Sequence, residues 1–157
     1  MNYLELVEQT GETNKIAHLK EEVCLIFYLN DSGKIKSFCR TSGNFAGVKI
    51  PQVSDIIAKC TYYKCTKIVL VHNHPYVCGK CSSKPSGIDI RSTRLYAKWL
   101  KQQGVDLADH IILSPAGSFS FHQHNLFKKT FRDSLATLLN LISRCTKVLL
   151  NQLNPPT

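Results

Sequence analysis

The chain has 157 residues, enough for one domain of ordinary size whose core needs no disulfide or metal to hold it. Its 20 Lys and Arg residues against 11 Asp and Glu give a formal charge of +9, which favours acidic partners such as nucleic acid or an acidic protein surface. The odd count of 7 cysteines, with no apolar leader and no membrane-length run, predicts a reducing cytoplasmic setting and no membrane contact.

The first predicted structural unit is a hairpin. Residues 1–20 are polar and weakly patterned and predict a short lead-in, either a helical turn or an edge. The dense apolar run Val23–Leu29 then predicts a buried strand. Asn30-Asp31-Ser32-Gly33 tolerates turn dihedral angles, and a second strand is predicted around Lys34–Arg40.

A helix and a third strand are predicted to follow the hairpin. Pro51 is expected to open the helix, which should end at about Cys60. The run Lys67–Val71 is rich in β-branched residues, which predicts a buried strand that ends at His72-Asn73-His74-Pro75.

The next helix is predicted from its capping residues. Ser86 and Asp89 are spaced as N-cap and N3 of a helix that runs to about Gln103. The segments His110–Leu113 and Ser118–Phe121 flank a Pro-Ala-Gly turn and predict a second hairpin. Together these elements predict a single α/β domain in which helices flank a mixed β-sheet.

The last segment, 127–157, is predicted to be an amphipathic C-terminal helix with a short tail. Its apolar residues recur at steps of three and four. They are Phe127, Phe131, Leu135, Leu138, Ile142, Cys145 and Leu149. The stripe needs a surface to cover it, either the chain's own domain or a second copy or partner, so the oligomeric state stays open.

The end of the third strand predicts a metal site. His72 and His74 lie on one face of the strand, because side chains alternate and Asn73 points away. Asp89 is the natural third ligand, since a short connection brings the first turn of its helix back beside the strand end. Two histidines and one carboxylate leave the fourth position of a tetrahedral zinc for water, which zinc can acidify to a pKa of roughly 7 for amide hydrolysis.

Hydrolysis also needs a proton shuttle and a group that stabilises the oxyanion. Glu22 is the candidate shuttle, provided that the start of its strand lies beside the His72 end of the neighbouring strand. Glu21 is adjacent, and a one-residue register shift would exchange which carboxylate faces the site. Ser86 is expected to donate its hydroxyl hydrogen to the oxyanion that develops on the substrate carbonyl.

These residues resemble the JAMM motif of the MPN+/JAB-domain zinc metalloproteases. The motif residues are Glu22, the tetrad His72-Asn73-His74-Pro75, Ser86 and Asp89. The resemblance implies that the two histidines and the aspartate hold zinc. It also implies that the glutamate acts as acid and base, and that the serine stabilises the tetrahedral intermediate.

Within this superfamily, the sequence is most similar to the bacterial RadC-like branch. The similar segments are the tetrad, the end of the motif at Pro85–Asp89 and the later run Leu107–Ile112. The resemblance covers about Glu21 to Leu126 and implies one JAB/MPN-type zinc hydrolase domain over 21–126. Better-studied members elsewhere in the superfamily cleave isopeptide bonds to ubiquitin-like modifiers, whereas the RadC-like branch carries a DNA repair label. No helix-hairpin-helix segment is expected ahead of the domain, which removes one argument for DNA binding.

The expected function is therefore zinc-dependent hydrolysis of a peptide or isopeptide bond in a protein substrate, with a ubiquitin-like modifier conjugate as one option. Two alternatives stay open. In the first, the same zinc site processes nucleic acid, which the charge of +9 would hold. In the second, the domain is a non-catalytic scaffold that uses its C-terminal helix for assembly.

Two cysteines occupy an unusually long segment beside the predicted site. Tyr76–Pro85 has more residues than the RadC-like pattern has there, and it contains Cys78 and Cys81. A Cys-x-x-Cys pair is half of a zinc knuckle, and some eukaryotic deubiquitinases of the superfamily hold a second, structural zinc in such an insertion. A second zinc and two free thiols are the alternatives.

Other cysteines and histidines are predicted to have structural roles. Cys60 and Cys65 are not expected to complete a second zinc site, because roughly 23 Å of extended chain separates Cys65 from the first histidine of the tetrad. His122 and His124 repeat the HxH spacing, yet no carboxylate follows at helix-start spacing, which indicates a surface. Asp109-His110 is expected to support a strand end or the outer shell of the metal site.

Overall fold

A computed structural model describes residues 1–43, 50–75 and 82–127 of the chain. The predicted helix beyond Phe127 and the loop that carries Cys78 and Cys81 lie outside the described residues, so both stay predictions. Among the residues that are described, no helix is both long and apolar enough to cross a membrane.

The described elements are four helices and five strands. In chain order they are α1 (Tyr3–Glu8), α2 (Glu12–Ile16), β1 (Val23–Leu29), β2 (Ile35–Ser42), α3 (Val53–Tyr63), β3 (Lys67–Asn73), α4 (Gly87–Gln102), β4 (Asp106–Ser114) and β5 (Gly117–Ser120). The strands form one sheet in the order β2-β1-β3-β4-β5. Three neighbouring pairs are antiparallel and β3–β4 is parallel, so the prediction of an α/β fold with a mixed sheet is confirmed.

The sheet register determines which strand ends meet. Cys24 lies opposite His72 in the antiparallel β1–β3 pair, so the start of β1 lies beside the end of β3. The parallel partner β4 follows β3 through α4, and His72 lies opposite Ile112. A helix that connects parallel strands begins at the carboxyl end of the first strand. The carboxyl end of β3, the start of β1 and the start of α4 therefore lie at the same edge of the sheet.

Helices cover both faces of the two central strands, which is why β1 and most of β3 are apolar throughout. On one face, Ile26, Tyr28 and Leu70 pack in a cluster that includes residues of α3 and α4. On the other face, Leu25, Phe27 and Val69 pack with Val7 and Ile16. The 1–20 segment, predicted as a short lead-in, thus supplies two short helices and two fully buried apolar side chains.

Two predicted boundaries differ from the structure. Helix α3 begins after Gln52 rather than at Pro51, and it extends to Tyr63, where Lys64 takes a left-handed conformation with φ of 53°. Strand β4 starts at Asp106, four residues earlier than predicted, because its polar residues pair with β3 where an apolar pattern is weak. Pairing with β3 therefore extended β4 beyond its local signal.

Candidate metal centre

The end of β3 directs alternate side chains to opposite faces. His72 and Asn73 are both buried, and Asn73 points away from the histidine face. The Asn73 Oδ1 accepts a hydrogen bond from the backbone N–H of Val23 at 2.7 Å, and its Nδ2 donates to the carbonyl of Glu21 at 3.0 Å. The two residues that flank Glu22 are thereby tied to the strand that carries the histidines.

His74 follows the strand and is held by two hydrogen bonds. Its backbone N–H donates to the carbonyl of Leu113 at 2.7 Å, and its ring Nδ1 lies 3.1 Å from the carbonyl of Ser82. Since a carbonyl oxygen can only accept, Nδ1 carries the hydrogen of this contact. The other ring nitrogen, Nε2, faces Asp89 and is available as a ligand.

Asp89 is positioned by the start of α4. Ser86 is the N-cap, and its backbone N–H donates to Asp89 Oδ2 at 2.7 Å. In return, the Asp89 N–H donates to Ser86 Oγ at 3.1 Å, which completes a capping box. The predicted helix start is confirmed, and the box holds the carboxylate at the positive end of the helix dipole.

The three predicted ligands come together at this edge of the sheet. The Nε2 atom of His72 lies 3.6 Å from Asp89 Oδ1, and that of His74 lies 3.5 Å from Asp89 Oδ2. All three residues can offer ligand atoms within 4.8 Å of one another, and no other such group occurs among the described residues. A tetrahedral zinc with ligands at about 2.1 Å places ligand atoms roughly 3.4 Å apart, so the triad could hold a metal ion.

The protonation states of His72 and Asp89 suit metal binding. Burial lowers the pKa of His72 to about 4, so its ring is neutral near neutral pH. Burial acts to raise the pKa of Asp89, but hydrogen bonds with His74 and Ser86 outweigh it and hold that pKa well below its usual value. The hydrogen bond with Asp89 in turn raises the pKa of His74. A neutral imidazole and an ionised carboxylate are the forms that bind metals.

His72 is supported from behind by a buried hydrogen-bonded chain. Its Nδ1 lies 2.8 Å from Nε2 of His110, whose Nδ1 lies 2.6 Å from Thr93 Oγ1. The His110 ring also stacks on Phe121, with ring centroids 4.9 Å apart. If His72 binds a metal through Nε2, its hydrogen is on Nδ1 and is donated to His110, which then donates to the threonine hydroxyl. These hydrogen bonds with His110 and Thr93 therefore fix both the tautomer and the orientation of the His72 ring.

Asp109 and His110 make contacts of the kind that their predicted supporting role requires. His110 backs the metal site, while the Asp109 carboxylate accepts hydrogen bonds from Ser120 Oγ at 2.6 Å and from the N–H of His122 at 2.9 Å. Thr93 was not predicted. Its position four residues after Asp89, on the same face of α4, is the signal that could have indicated it.

Glu22 lies where the predicted proton shuttle needs to be. The start of β1 is beside the end of β3, as that role requires, and Glu22 is half-buried whereas Glu21 is exposed. The charge of Glu22 contributes to the raised pKa of His74, after the larger effect of Asp89, so its carboxylate lies within electrostatic range of the triad. The catalytic roles of Glu22 and Ser86 stay predictions.

The remaining candidates lie away from the triad. His122 and His124 are exposed, and the ring of His124 stacks on Phe119 with centroids 4.0 Å apart. Cys60 and Cys65 belong to the core cluster on the α3 and α4 face of the sheet. Burial raises the pKa of Cys60 to about 11, which keeps that thiol protonated.

Comparison with known proteins gives a consistent family. A family model described as the RadC-like JAB domain matches residues 5–126, which includes most of α1 and all of α2. A UPF0758 protein of Enterococcus faecalis is 30% identical over 112 residues, covering 69% of this chain and 45% of the relative. One of Fusobacterium nucleatum is 31% identical over 113 residues, covering 72% and 47%. The chain thus spans about half the length of these curated relatives.

Proposed function

Since the chain belongs to the RadC-like JAB domain family, we propose that it is a zinc-dependent peptidase or isopeptidase that acts on a protein substrate. The observation that supports this proposal is the convergence of His72, His74 and Asp89 within 4.8 Å of one another. Two imidazoles and one carboxylate form a ligand set typical of catalytic zinc, which keeps a position open for water or substrate. Members of the JAB superfamily are often hydrolases, which is consistent with this assignment.

The protein's contribution to the chemistry is to hold its ligands rigidly and to move a proton. When bound, zinc supplies Lewis acidity to a substrate carbonyl and acidifies the attacking water. His72 is oriented by His110, and Asp89 is oriented by the capping box with Ser86. Rigid placement of each ligand reduces the reorganisation needed when the substrate binds.

Glu22 is proposed to carry the proton. Its carboxylate takes a proton from the attacking water as the C–O bond forms, and it delivers that proton to the leaving nitrogen as the C–N bond breaks. Glu22 directly precedes β1, whose start lies beside the end of β3, and its charge acts on His74, which supports this role.

Ser86 is proposed to stabilise the oxyanion. Its Oγ accepts a hydrogen bond from the Asp89 N–H, which uses a lone pair and leaves the hydroxyl hydrogen to donate. A donor aimed at a developing oxyanion is typically worth a factor of about 10² to 10³ in turnover.

Nucleic-acid processing is the second candidate. The formal charge of +9 and the exposed Arg91 and Lys98 on α4 favour it over a non-catalytic scaffold, which has no comparable observation in its support. In this alternative the same ligand set would serve attack at phosphate, and affinity would fall steeply with salt.

The test compares zinc-loaded wild-type protein with Glu22→Gln on two substrates. The first is a peptide library prepared from a digested proteome, with new termini mapped by mass spectrometry, and the second is plasmid DNA. We expect new peptide termini from the wild type, at least tenfold fewer from Glu22→Gln at equal zinc content, and intact DNA. Nicked plasmid without peptide cleavage would replace the proposal with the second candidate.

A further inference from the structure

The outer face of α4 carries an apolar stripe that water disfavours. Ile88, Leu95 and Trp99 are 69%, 46% and 46% exposed, and they are the large apolar side chains that α4 leaves most open. Their spacings of seven and four residues place them on one face of the helix. We call these three residues the α4 stripe. It begins at Ile88, directly before the predicted ligand Asp89, so it extends from the metal centre along the helix.

The stripe leads into a groove between α3 and α4. The groove has a volume of about 1010 Å³, and its lining includes Val53, Ile57, Ala58, Tyr96, Trp99 and Gln102. Trp99 belongs to both surfaces and therefore joins them. A large aromatic residue in an apolar groove between helices is the usual anchor of a protein-binding surface. The exposed apolar area consequently indicates a binding site rather than scattered surface residues.

Two exposed cations flank the stripe. Arg91 lies three residues after Ile88 and four before Leu95, and Lys98 lies three residues after Leu95, so both are neighbours of the stripe on the helix surface. Neither forms an ion pair with any residue that the structure describes, whereas Lys101 pairs with Asp106 at 2.6 Å. Helix α4 contains one acidic residue, Asp89, whose carboxylate is used at the metal centre.

We propose that the α4 stripe and its groove bind an acidic amphipathic segment of the protein substrate. Apolar side chains of that segment would cover Leu95 and Trp99, and its carboxylates would pair with Arg91 and Lys98. This is the helix-in-groove mode of recognition, with an apolar centre and a charged rim.

The inference rests on the proposed function, because it assigns a substrate feature to the same enzyme. A segment bound along the stripe lies next to Asp89, so the adjoining part of the substrate can reach the metal centre. Binding energy gained away from the scissile bond can then position that bond for attack. The substrate class is narrowed to proteins that present an apolar face bordered by Asp and Glu.

The single tryptophan of the chain makes this surface directly observable. Fluorescence excited at a wavelength that only tryptophan absorbs reports Trp99 alone and excludes the 6 tyrosines of the chain, and burial of its ring shifts the emission to shorter wavelength. The probe is a synthetic helical peptide with Leu on one face and Glu on the other. Its matched control has Lys at every Glu position and is otherwise identical. We expect the acidic peptide to shift the emission of the full-length protein and the basic peptide to bind at least tenfold more weakly.

Variants then assign the contacts. Arg91→Glu with Lys98→Glu should lower the affinity for the acidic peptide at least tenfold and raise the affinity for the basic peptide. The control, Lys34→Glu with Lys36→Glu, changes the net charge equally at exposed positions of the β1–β2 hairpin and should leave binding within about twofold. Leu95→Ser should lower the affinity for both peptides, because it removes apolar contact without changing charge.

Several results would overturn the inference. Equal affinity of the wild type for the two peptides would show that the flanking cations do not select the partner. The same conclusion would follow if both charge-reversed double variants lost the same affinity for the acidic peptide. A shift that follows protein concentration alone would assign the groove to a second copy, and a stronger response to single-stranded DNA would assign it to nucleic acid. Peptide binding is also measured with Glu22→Gln, which should bind the acidic peptide as the wild type does. Binding and cleavage are thus measured separately, so a negative result for the docking surface does not count against the proposed hydrolysis, and the reverse also holds.

Discussion

The two histidine ligands are only two residues apart, yet they lie in different surroundings. His72 is in the buried half of the site, with His110 and Thr93 behind it. His74 is in the open half, which also contains Asp89 and Ser86 and is held by a loop carbonyl and a helix start. The sheet core therefore fixes one side of the metal centre, while the other side stays accessible to substrate.

The largest expected effect comes from removing a ligand in the open half. Asp89→Ala and His74→Ala should each lower zinc affinity more than 100-fold, because three ligands are the minimum of a catalytic site. Elemental analysis after dialysis measures the loss. Asp55→Ala is the control, since it removes an exposed first-turn carboxylate from α3 without touching the triad. Zinc content that is unchanged in both ligand variants would refute the assignment.

The second prediction separates proton transfer from metal binding. Glu22→Gln should keep the zinc and lower kcat by a factor of about 10² to 10⁴, because the amide cannot carry the proton. The neighbouring exposed Glu21→Gln is the control and should keep nearly full turnover. If the two variants exchange these results, Glu21 is the acid and base.

The third prediction concerns the buried half alone. Because burial lowers the pKa of His72 from 6.5 to about 4, the unfolded chain binds more protons than the folded chain between these values. The stability that neutral His72 contributes is therefore present above about pH 6.5 and is lost as the pH falls toward about 4. For chelator-treated protein, the titration of His72 should lower the free energy of unfolding by on the order of 2 kcal/mol between about pH 7 and pH 5.

Urea unfolding of the wild type and of His72→Gln at both pH values measures this share. The variant lacks the titrating ring, so its stability should fall by less between the two conditions. Asp89 raises the pKa of His74, and burial lowers that of His110, so these two residues also contribute to the pH dependence of stability, but both are present in the wild type and in the variant. Equal losses in the two proteins would contradict the buried, neutral state of His72.

The smallest expected effect tests the support behind His72. Thr93→Val keeps the shape of the side chain but removes the hydroxyl that contacts His110. We expect zinc affinity to fall about tenfold, as for other residues that support a ligand, and kcat per bound zinc to change little. Isothermal titration with zinc measures the first quantity, and a cleavage assay at saturating zinc measures the second.

Thr13→Val is the matched control for this substitution. Its Oγ1 is also buried, and it has no hydrogen-bond partner among the described residues. Removing that hydroxyl should leave stability equal or higher and zinc affinity unchanged, because no interaction is lost. A similar loss of affinity in both threonine variants would mean that the effect is one of general packing and not of the His110 contact.

The open half of the site was largely predictable from sequence because its signals are local. Alternation along a strand placed His72 and His74 on one face, and the spacing of Ser86 and Asp89 predicted the capping box. The buried half depended on a contact between His72 and His110, which are 38 residues apart. That contact follows from parallel pairing of β3 and β4, which local patterns do not encode.

The start of the chain was predicted as a helical turn or an edge rather than as two helices, for a different reason. Each has only five or six residues, and few of them are buried. A helix of that length has no clear apolar period, and it is stable here because Val7 and Ile16 pack against the sheet. Packing in the tertiary structure, rather than helix propensity, therefore determines this part of the fold.

Asn73 has a consequence for anyone who would rebuild this site in another protein. Its side chain bonds to the backbone on both sides of Glu22, at Glu21 and Val23, while its two neighbours supply imidazoles. One amide group thus ties the backbone on both sides of Glu22 to the strand end that carries the two histidines. A designer who grafted only the metal-binding side chains would transfer the chelate and lose the alignment. The smallest portable unit is the paired ends of β1 and β3, with the amide between them.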